Sequence, residues 1–381
     1  MRKNIFSSKN LVFIFILFLT IFLTKSVAIC FTKGDIDDNG YIDLKEAIYS
    51  LQVVAGVDHD WRTLDQIKAY GKIKIGILNW NITGFYVNEE PPVGIEADLA
   101  RALAIAVFPE VPIGDIDSKI EFISTTSSYR FVDLQKKKFD VLLRVATFSL
   151  SRDRNSNDGP NLHFCPTYFY DGQGIMGNSN WVLSDLNGKK IAVSADEASK
   201  YNLYKFMSDK GYTYTEVPYS SPTDPQMYSD YEAGSVDAVS ADKSILLDFK
   251  TGMTASENNK IFDVALSKHP LSPVVRYGDD QWTDIVTWVV YALIRAEELG
   301  LTSSNIDEPP NIDNPAVKRF LGIEGTLGTD LGLANTWAKE IIRKIGNYGQ
   351  IYNKSTGPVG IPRGLNNLFA NGGVLYSPPM R

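Results

Sequence analysis

Residues 140–154, DVLLRVATFSLSRDR, hold the densest set of groups able to bind an anion. Val141, Leu142 and Leu143 read as a short buried strand. Beyond it Thr147, Ser149 and Ser151 place hydroxyls on a turn that leads to Arg152. In an open α/β sheet, ligands sit just outside the carboxyl ends of the strands. A turn there offers free backbone N–H groups, and an arginine can take a carboxylate through two parallel hydrogen bonds. A small-anion site is one reading and a solvated arginine on a polar loop is the other. This stretch alone does not choose between them.

A second chemical pattern lies at 35–46, DIDDNGYIDLKE. Asp35, Asp37 and Asn39 fall at loop positions 1, 3 and 5, Gly40 at 6, Tyr41 at 7, Asp43 at 9 and Glu46 at 12, the spacing of a twelve-residue calcium loop. Hard oxygens suit Ca2+, the glycine supplies the sharp turn, and the last glutamate can bind through both oxygens. Leu44, Ala47, Ile48, Leu51, Val54 and Ala55 then mark an amphipathic helix. The segment resembles half of a dockerin or a lone EF-hand, without a second loop to pair with. It is expected to bind Ca2+ through Asp35, Asp37, Asn39, Tyr41, Asp43 and Glu46, as a structural clip or docking module. A bare acidic turn is the alternative.

The elements that must position the first site follow from periodicity. From Trp61 the pattern alternates strands and helices. Residues 72–78 alternate Ile73, Ile75 and Ile77 with period two, 96–108 carry Leu99, Ala100, Leu103, Ala104 and Val107 on one side of a helix, 120–123 form a strand and 128–138 a helix. This βαβαβ order favours a parallel sheet with right-handed crossovers. Residues 169–176 read as an extended connector loosened by glycines. A second series follows, with strands at 190–194, 214–217 and 236–240 and helices at 198–209 and 224–233. The proline-bounded run 270–275 returns the chain to the first unit, and helices at 282–299 and 332–345 complete it. Two α/β units joined by paired crossovers are the plan of hinge-closing binding proteins.

The N-terminus carries Arg2, Lys3 and Lys9, an apolar run at 11–23 and the small-residue site Ser26-Val27-Ala28, which together describe a secretory signal cleaved after Ala28. An uncleaved anchor is the alternative. Removing its four basic residues and no acid shifts the net charge from −7 to −11. An acidic chain with no basic run argues against nucleic acid or anionic lipid as partner. Cys30 and Cys165 are the only cysteines, and the sequence leaves open whether they pair.

The motifs TFSLSRD, YDGQGIM, LSPVVRYGDDQW, YALIRAEELG, IGNYGQIY and IPRGLNNLFANGGVLYSPPMR resemble those of the family 3 periplasmic solute-binding proteins of ABC transporters, and most of all the general L-amino-acid-binding group. The resemblance covers about 62–381. It implies an α/β, two-lobed type II periplasmic-binding-protein fold with two interlobe crossovers. With the signal at 1–28 and the calcium segment at 34–58 read from their own residues, the implied division of the rest is lobe 1 at 61–171 and 272–345, lobe 2 at 178–265 and a C-terminal extension at 346–381. It also implies roles. Arg152 stands where the family clamps the ligand's α-carboxylate, Thr147 contributes to the same group, and Asp242 takes the α-ammonium. For Asp242 helix N-capping is the alternative. Phe85 and Tyr86 are candidates to pack on the ligand, or are packing residues. Arg144 either selects an acidic side chain or holds the sheet edge through an ion pair. The sequence departs from the family after strand 190–194. There Asp196-Glu197-Ala198 replaces a Gly-Thr-Thr turn that also holds the carboxylate. Acids at that place repel an anion by about 1 kcal/mol or more, unless Asp196 caps the helix and points away.

The resulting expectation is an extracytoplasmic monomer, not an enzyme, that captures a small polar amino acid and delivers it to a membrane permease. An enzyme on the same fold, dehydratase-like, would have only Asp196, Glu197 and Asp242 as candidate acids or bases. His59, His163 and His269 are scattered, with no nucleophile–base spacing. A calcium-dependent surface interaction protein is the third reading.

Overall fold

The computed structural model describes residues 47–48, 51, 62–154, 162–356 and 363–381. The chain divides into two units, 1–61 and 62–381. In the first, Ala47, Ile48 and Leu51 are helical and exposed. The expected calcium ligands at 35–46, the signal at 1–28, Cys30 and His59 lie outside the described residues.

The second unit begins with α1 (Thr63–Tyr70), β1 (Ile73–Leu78), α2 (Ile95–Val107), β2 (Ile120–Thr125), α3 (Arg130–Gln135), β3 (Val141–Leu142), the one-turn α4 (Leu150–Asp153) and β4 (Leu162–Phe164). It continues through β5 (Phe169–Asp171) into β6 (Gln173–Asn178), β7 (Lys189–Ser194), α5 (Glu197–Asp209), β8 (Tyr214–Tyr219), α6 (Pro225–Glu232), β9 (Ala238–Asp242), α7 (Lys243–Gly252) and β10 (Asn259–Ile261). The chain then returns by β11 (His269–Leu271) to β12 (Val274–Arg276), α8 (Asp280–Glu298), α9 (Trp337–Ile345) and α10 (Tyr348–Ser355).

Two five-stranded sheets result, ordered β2-β1-β3-β12-β4 and β10-β6-β9-β7-β8. β1 pairs in parallel with β2 and β3, and β7 in parallel with β8 and β9, as the βαβ pattern requires. β12 and β6 are the antiparallel insertions that return or admit the chain. This is the expected two-lobed α/β architecture. Helix α2 departs from the one-sided reading of its sequence, because every residue from Ile95 to Val107 is buried. Helices α8, α9 and α10 pack around it, and a helix apolar on most sides belongs at such a centre. Two of its charged residues, Asp98 and Arg101, are paired in place, with Arg101 Nη1 3.0 Å from Asp98 Oδ1 and Arg101 Nε 2.8 Å from Asp117 Oδ1. The helix read at 332–345 starts later, at Trp337, after a turn closed by the left-handed Gly332.

The lobes are joined by a two-stranded ladder of β5 and β11, antiparallel, with His269 opposite Asp171 and Leu271 opposite Phe169. The glycines here do not loosen a connector. A Cβ at Gly172 would lie 2.4 Å from the Ser267 carbonyl oxygen, so the bare backbone is what lets the two crossovers approach. The C-terminal segment is built into lobe 1: Tyr348, Ile351, Tyr352, Leu368, Leu375 and Met380 share its core. Asn366 also brackets the first crossover. The Tyr170 N–H donates to Asn366 Oδ1 at 2.7 Å, and Asn366 Nδ2 donates to the Tyr170 carbonyl at 3.2 Å. Cys165 is buried and free, and burial pushes its thiol up to about 12, where it is inert.

Candidate functional site

The order β2-β1-β3 reverses direction at β1, so the carboxyl ends of β1 and β3 flank a crevice of the kind that holds ligands in open α/β sheets. Arg144 follows β3 and is buried there. Its Nε donates to the Thr125 carbonyl at 2.8 Å, and its Nη2 donates to Asn79 Oδ1 and Ser127 Oγ, both at 3.2 Å. The guanidinium lies 4.7 Å from the centre of the Trp80 ring. Arg144 thus ties together the ends of β1, β2 and β3 by hydrogen bonds, where the sequence suggested an ion pair at the sheet edge. Burial pushes its pKa down to about 10, against the pull of Glu96.

Glu96, in the first turn of α2, is fully buried. Its Oε1 accepts from the Val145 N–H at 2.6 Å and from the Tyr168 hydroxyl, while Oε2 has no partner among the described residues. Burial lifts its pKa to about 7, against the lowering effects of Tyr168, Val145 and Arg144. Val145 has a φ of +38°, a left-handed backbone that a β-branched residue rarely adopts. Strain of this kind persists only where the surroundings over-determine it, and it clusters at ligand clamps. Here the Glu96 carboxylate fixes the N–H of the strained residue. The anion turn begins two residues later.

In that turn Ser149 caps α4, its Oγ accepting from the Arg152 N–H at 3.4 Å. Arg152 Nη1 donates to the Thr147 carbonyl at 2.9 Å, and Thr147 forms an isolated bridge with Leu271 of the second crossover. Burial lowers the Arg152 pKa, while Asp242 across the cleft raises it. A third guanidinium, missed in the sequence, belongs to Arg130 at the start of α3. Its Nε is buried without a partner among the described residues, and its guanidinium lies 4.8 Å from the Phe131 ring. Burial pushes its pKa down to about 9, and Arg152 and Arg144 add to the shift. The signal was available: Arg130 follows a strand in the same βαβ frame as Arg152, outside the same edge of the sheet.

Phe85 and Tyr86 pack in the core of lobe 1. Both are fully buried, Phe85 edge-on to Phe169 at 4.7 Å and Tyr86 tilted against Phe122 at 5.9 Å. The cause is local. The carbonyls of Gly84 and Phe85 accept the first N–H groups of α2, from Ile95 and Glu96 at 3.0 Å each, and this turns the two rings into the core.

Lobe 2 supplies carboxylates. Asp242 ends β9 in the N-cap position of α7, yet its side chain makes no capping hydrogen bond, so capping does not account for it. Asp196 does cap: its Oδ1 accepts from the Ser199 N–H at 2.8 Å. Burial raises the Asp196 pKa, but the bonds from Ser194 and Ser199 outweigh that and hold it below the ordinary value. The α5 N-terminus is therefore filled by its own carboxylate and offers no anion clamp. The histidines are not all scattered. His269 Nδ1 lies 3.0 Å from Asp242 Oδ1, and its Nε2 is 3.0 Å from Ser267 Oγ. Asp171, opposite it in the ladder, is lifted to about 6 by burial and by Asp242. A cavity of about 430 Å³ lies beside the ladder, bounded by Phe169, Lys243, Leu247, Phe262 and Arg363; none of the six sequence-predicted ligand residues lines it.

Lobe 1 thus presents three partly desolvated guanidiniums and lobe 2 the Asp242 carboxylate paired with His269, an arrangement suited to a zwitterion with surplus negative charge. No protein-family model matches the chain. It is 37% identical over 329 residues to the general L-amino acid-binding periplasmic protein AapJ of Rhizobium johnstonii, a match covering 84% of this chain and 93% of the relative. It is 35% identical over 328 residues to the glutamate/glutamine/aspartate/asparagine-binding protein BztA of Rhodobacter capsulatus, covering 84% and 93%. A solved periplasmic binding protein of an ABC transporter from Brucella ovis, with glutathione bound, superposes with a TM-score of 0.70 at 33% identity, covering 84% of this chain and 100% of that one.

Proposed function

The chain belongs to the periplasmic amino-acid-binding proteins of ABC transporters, and from that premise we propose that it captures an acidic amino acid, or a similar small molecule with two carboxylates and one ammonium. The observation that carries this reading is Arg130. It is desolvated, has no carboxylate partner among the described residues, and is pushed down by Arg144 and Arg152. A ligand with one carboxylate for Arg152 leaves the buried Nε of the half-buried Arg130 unpaired, which is costly. A second carboxylate relieves it. Arg152 and Thr147 take the α-carboxylate, Asp242 the α-ammonium, and Arg130 the side-chain carboxylate, with Arg144 setting the floor of the crevice. The names of the relatives include such ligands without being restricted to them: BztA is named for glutamate, glutamine, aspartate and asparagine, AapJ for L-amino acids in general, and glutathione carries two carboxylates. Closure about β5 and β11 would bury the ligand and strengthen these charge pairs. Delivery to a membrane permease, export through the segment at 1–28 and a monomeric state belong to the same reading.

Calorimetry with L-glutamate and L-glutamine tests it. Wild-type protein should prefer glutamate, and Arg130→Gln should weaken glutamate about 10- to 100-fold while changing glutamine little, as expected for a charge-assisted pair. Equal losses for both ligands remove the acidic reading. The protein works as a carrier and not as an enzyme in this reading, with two of the three candidate acids or bases committed, Asp196 to its helix and Asp242 to His269. Calcium binding by Asp35, Asp37, Asn39, Tyr41, Asp43 and Glu46 remains part of the proposal on the spacing alone. Calcium titrated into the full chain should bind and do so far more weakly in Glu46→Gln; no binding at millimolar calcium rejects it.

A further inference from the structure

We propose that His269 makes ligand capture proton-linked, its imidazolium occupying Asp242 in the empty protein and giving the carboxylate up to the incoming ammonium with release of a proton. The inference rests on the reading of Asp242 as the ammonium subsite and adds to it a residue that sets when that subsite is free.

The geometry is a three-group chain at the hinge. Asp242 is held in position at the end of β9 by the sheet, makes no capping bond, and has its Oδ1 3.0 Å from His269 Nδ1. Ser267 Oγ sits 3.0 Å from Nε2, the other ring nitrogen, and also accepts the Gln173 N–H at 2.9 Å. A hydroxyl oxygen already engaged by one N–H can still accept from a protonated Nε2, while Nδ1 meets Asp242 Oδ1 as a close ion pair that is off the line of a well-formed hydrogen bond. His269 faces charged groups from every element packed on it: Asp171 from the first crossover, Asp242 from lobe 2 and Arg152 from the anion turn of lobe 1. Burial lowers its pKa and Arg152 lowers it too, but the hydrogen bond and charge of Asp242, with Asp171, outweigh both and leave it raised. An ammonium placed on Asp242 reverses the balance. It removes the partner of Nδ1 and adds a positive charge, while the ligand's carboxylate engages Arg152.

The balance is one for one: the Asp242 carboxylate exchanges an imidazolium for an ammonium, and the imidazole proton leaves to solvent. The sign follows. His269 is protonated in the empty form to a higher pH than in the loaded form, so binding weakens as pH falls between the two pKa values, by at most tenfold per pH unit.

Calorimetry of the full chain with L-glutamate and L-glutamine from pH 5.5 to 8, in buffers of differing ionisation enthalpy, reads both the slope and the released proton. Wild-type protein should lose affinity several-fold toward acid pH and release a fraction of a proton per ligand; His269→Gln should bind at pH 8 within a few-fold of wild type and lose the slope. In the empty protein, NMR titration should place the His269 pKa above the usual histidine range, and Asp242→Asn should lower it. If ligand binds and the same slope persists in His269→Gln, the role of His269 is overturned and the capture reading stands. If the His269–Asp242 coupling is present but neither amino acid binds at any pH, the capture reading fails and the competition falls with it.

Discussion

Arg152→Ala abolishes useful capture: the dissociation constants for L-glutamate and L-glutamine both rise by about 100-fold or more. Truncating one partner of a buried charge pair costs about 2–5 kcal/mol, because the other charge stays desolvated. Arg152 is the group best placed to supply that pair. The short helix α4 fixes its backbone through the Ser149 cap, and its Nη1 already spans to the Thr147 carbonyl. The melting temperature should move little, since the chain loses a single hydrogen bond, about 1 kcal/mol, and is relieved of a cation that depresses Arg130. Arg152→Lys keeps the charge but not the fork and should fall between the two. Calorimetry on folded protein checks this, and unchanged affinity in Arg152→Ala would place the carboxylate elsewhere. The contrast with Arg130 gives the pair its value: loss at Arg152 strikes every amino acid, loss at Arg130 only the acidic ones.

The second large effect concerns stability. Glu96 is fully buried and its pKa is raised from the ordinary 4.5 to about 7, chiefly by desolvation. A carboxyl whose folded pKa is raised favours folding fully below its unfolded pKa. That contribution is lost as pH rises through the folded value. Between pH 4.5 and 7 the loss amounts to about 3 kcal/mol. Glu96→Gln, which keeps an acceptor for Val145 and Tyr168 without an ionisable proton, removes this dependence. Urea midpoints at pH 5 and pH 8 should therefore show wild-type protein falling relative to Glu96→Gln by a few kcal/mol. Asp171 carries the same sign near pH 6 but is common to both proteins and cancels in the difference. A difference that stays constant between the two pH values would mean that Glu96 titrates as an exposed acid.

The alternating strands and helices were legible because period two and period 3.6 are local signals, and the switch in the pattern at the crossovers marked the lobes. The turn that carries Arg152 was legible for the same reason: a strand end followed by hydroxyls and an arginine is a contiguous pattern. Side-chain direction after a turn is not. For Phe85 and Tyr86 the sequence left ligand packing and core packing both open, and the hydrogen bonds from Ile95 and Glu96 set which way the turn rolls. His269 was invisible as a site residue because its partner Asp242 arrives through pairing of β9 with β6 and of β5 with β11, contacts that no local window contains. Arg130 was legible in principle, but its lack of a counter-charge is a property of burial. Asp196 was read correctly as a possible cap because N-capping is a local rule.

The position of β12 has a consequence for the order in which the molecule can be put together. Lobe 2 is drawn from one uninterrupted stretch, β6 to β10, so all of its ladder pairs close within that length of chain. Lobe 1 is not. β12 lies between β3 and β4, and Leu271 meets Thr147, so the sheet edge behind the anion turn does not exist until residues beyond 270 have arrived. Contiguous segments form ahead of pairings that span a long loop. A chain shortened before β12 would hold a complete lobe 2, with Asp242 on it, beside a lobe 1 whose arginines have no fixed place. The half that carries Asp242 closes its sheet first, and the half that carries the three arginines is finished last.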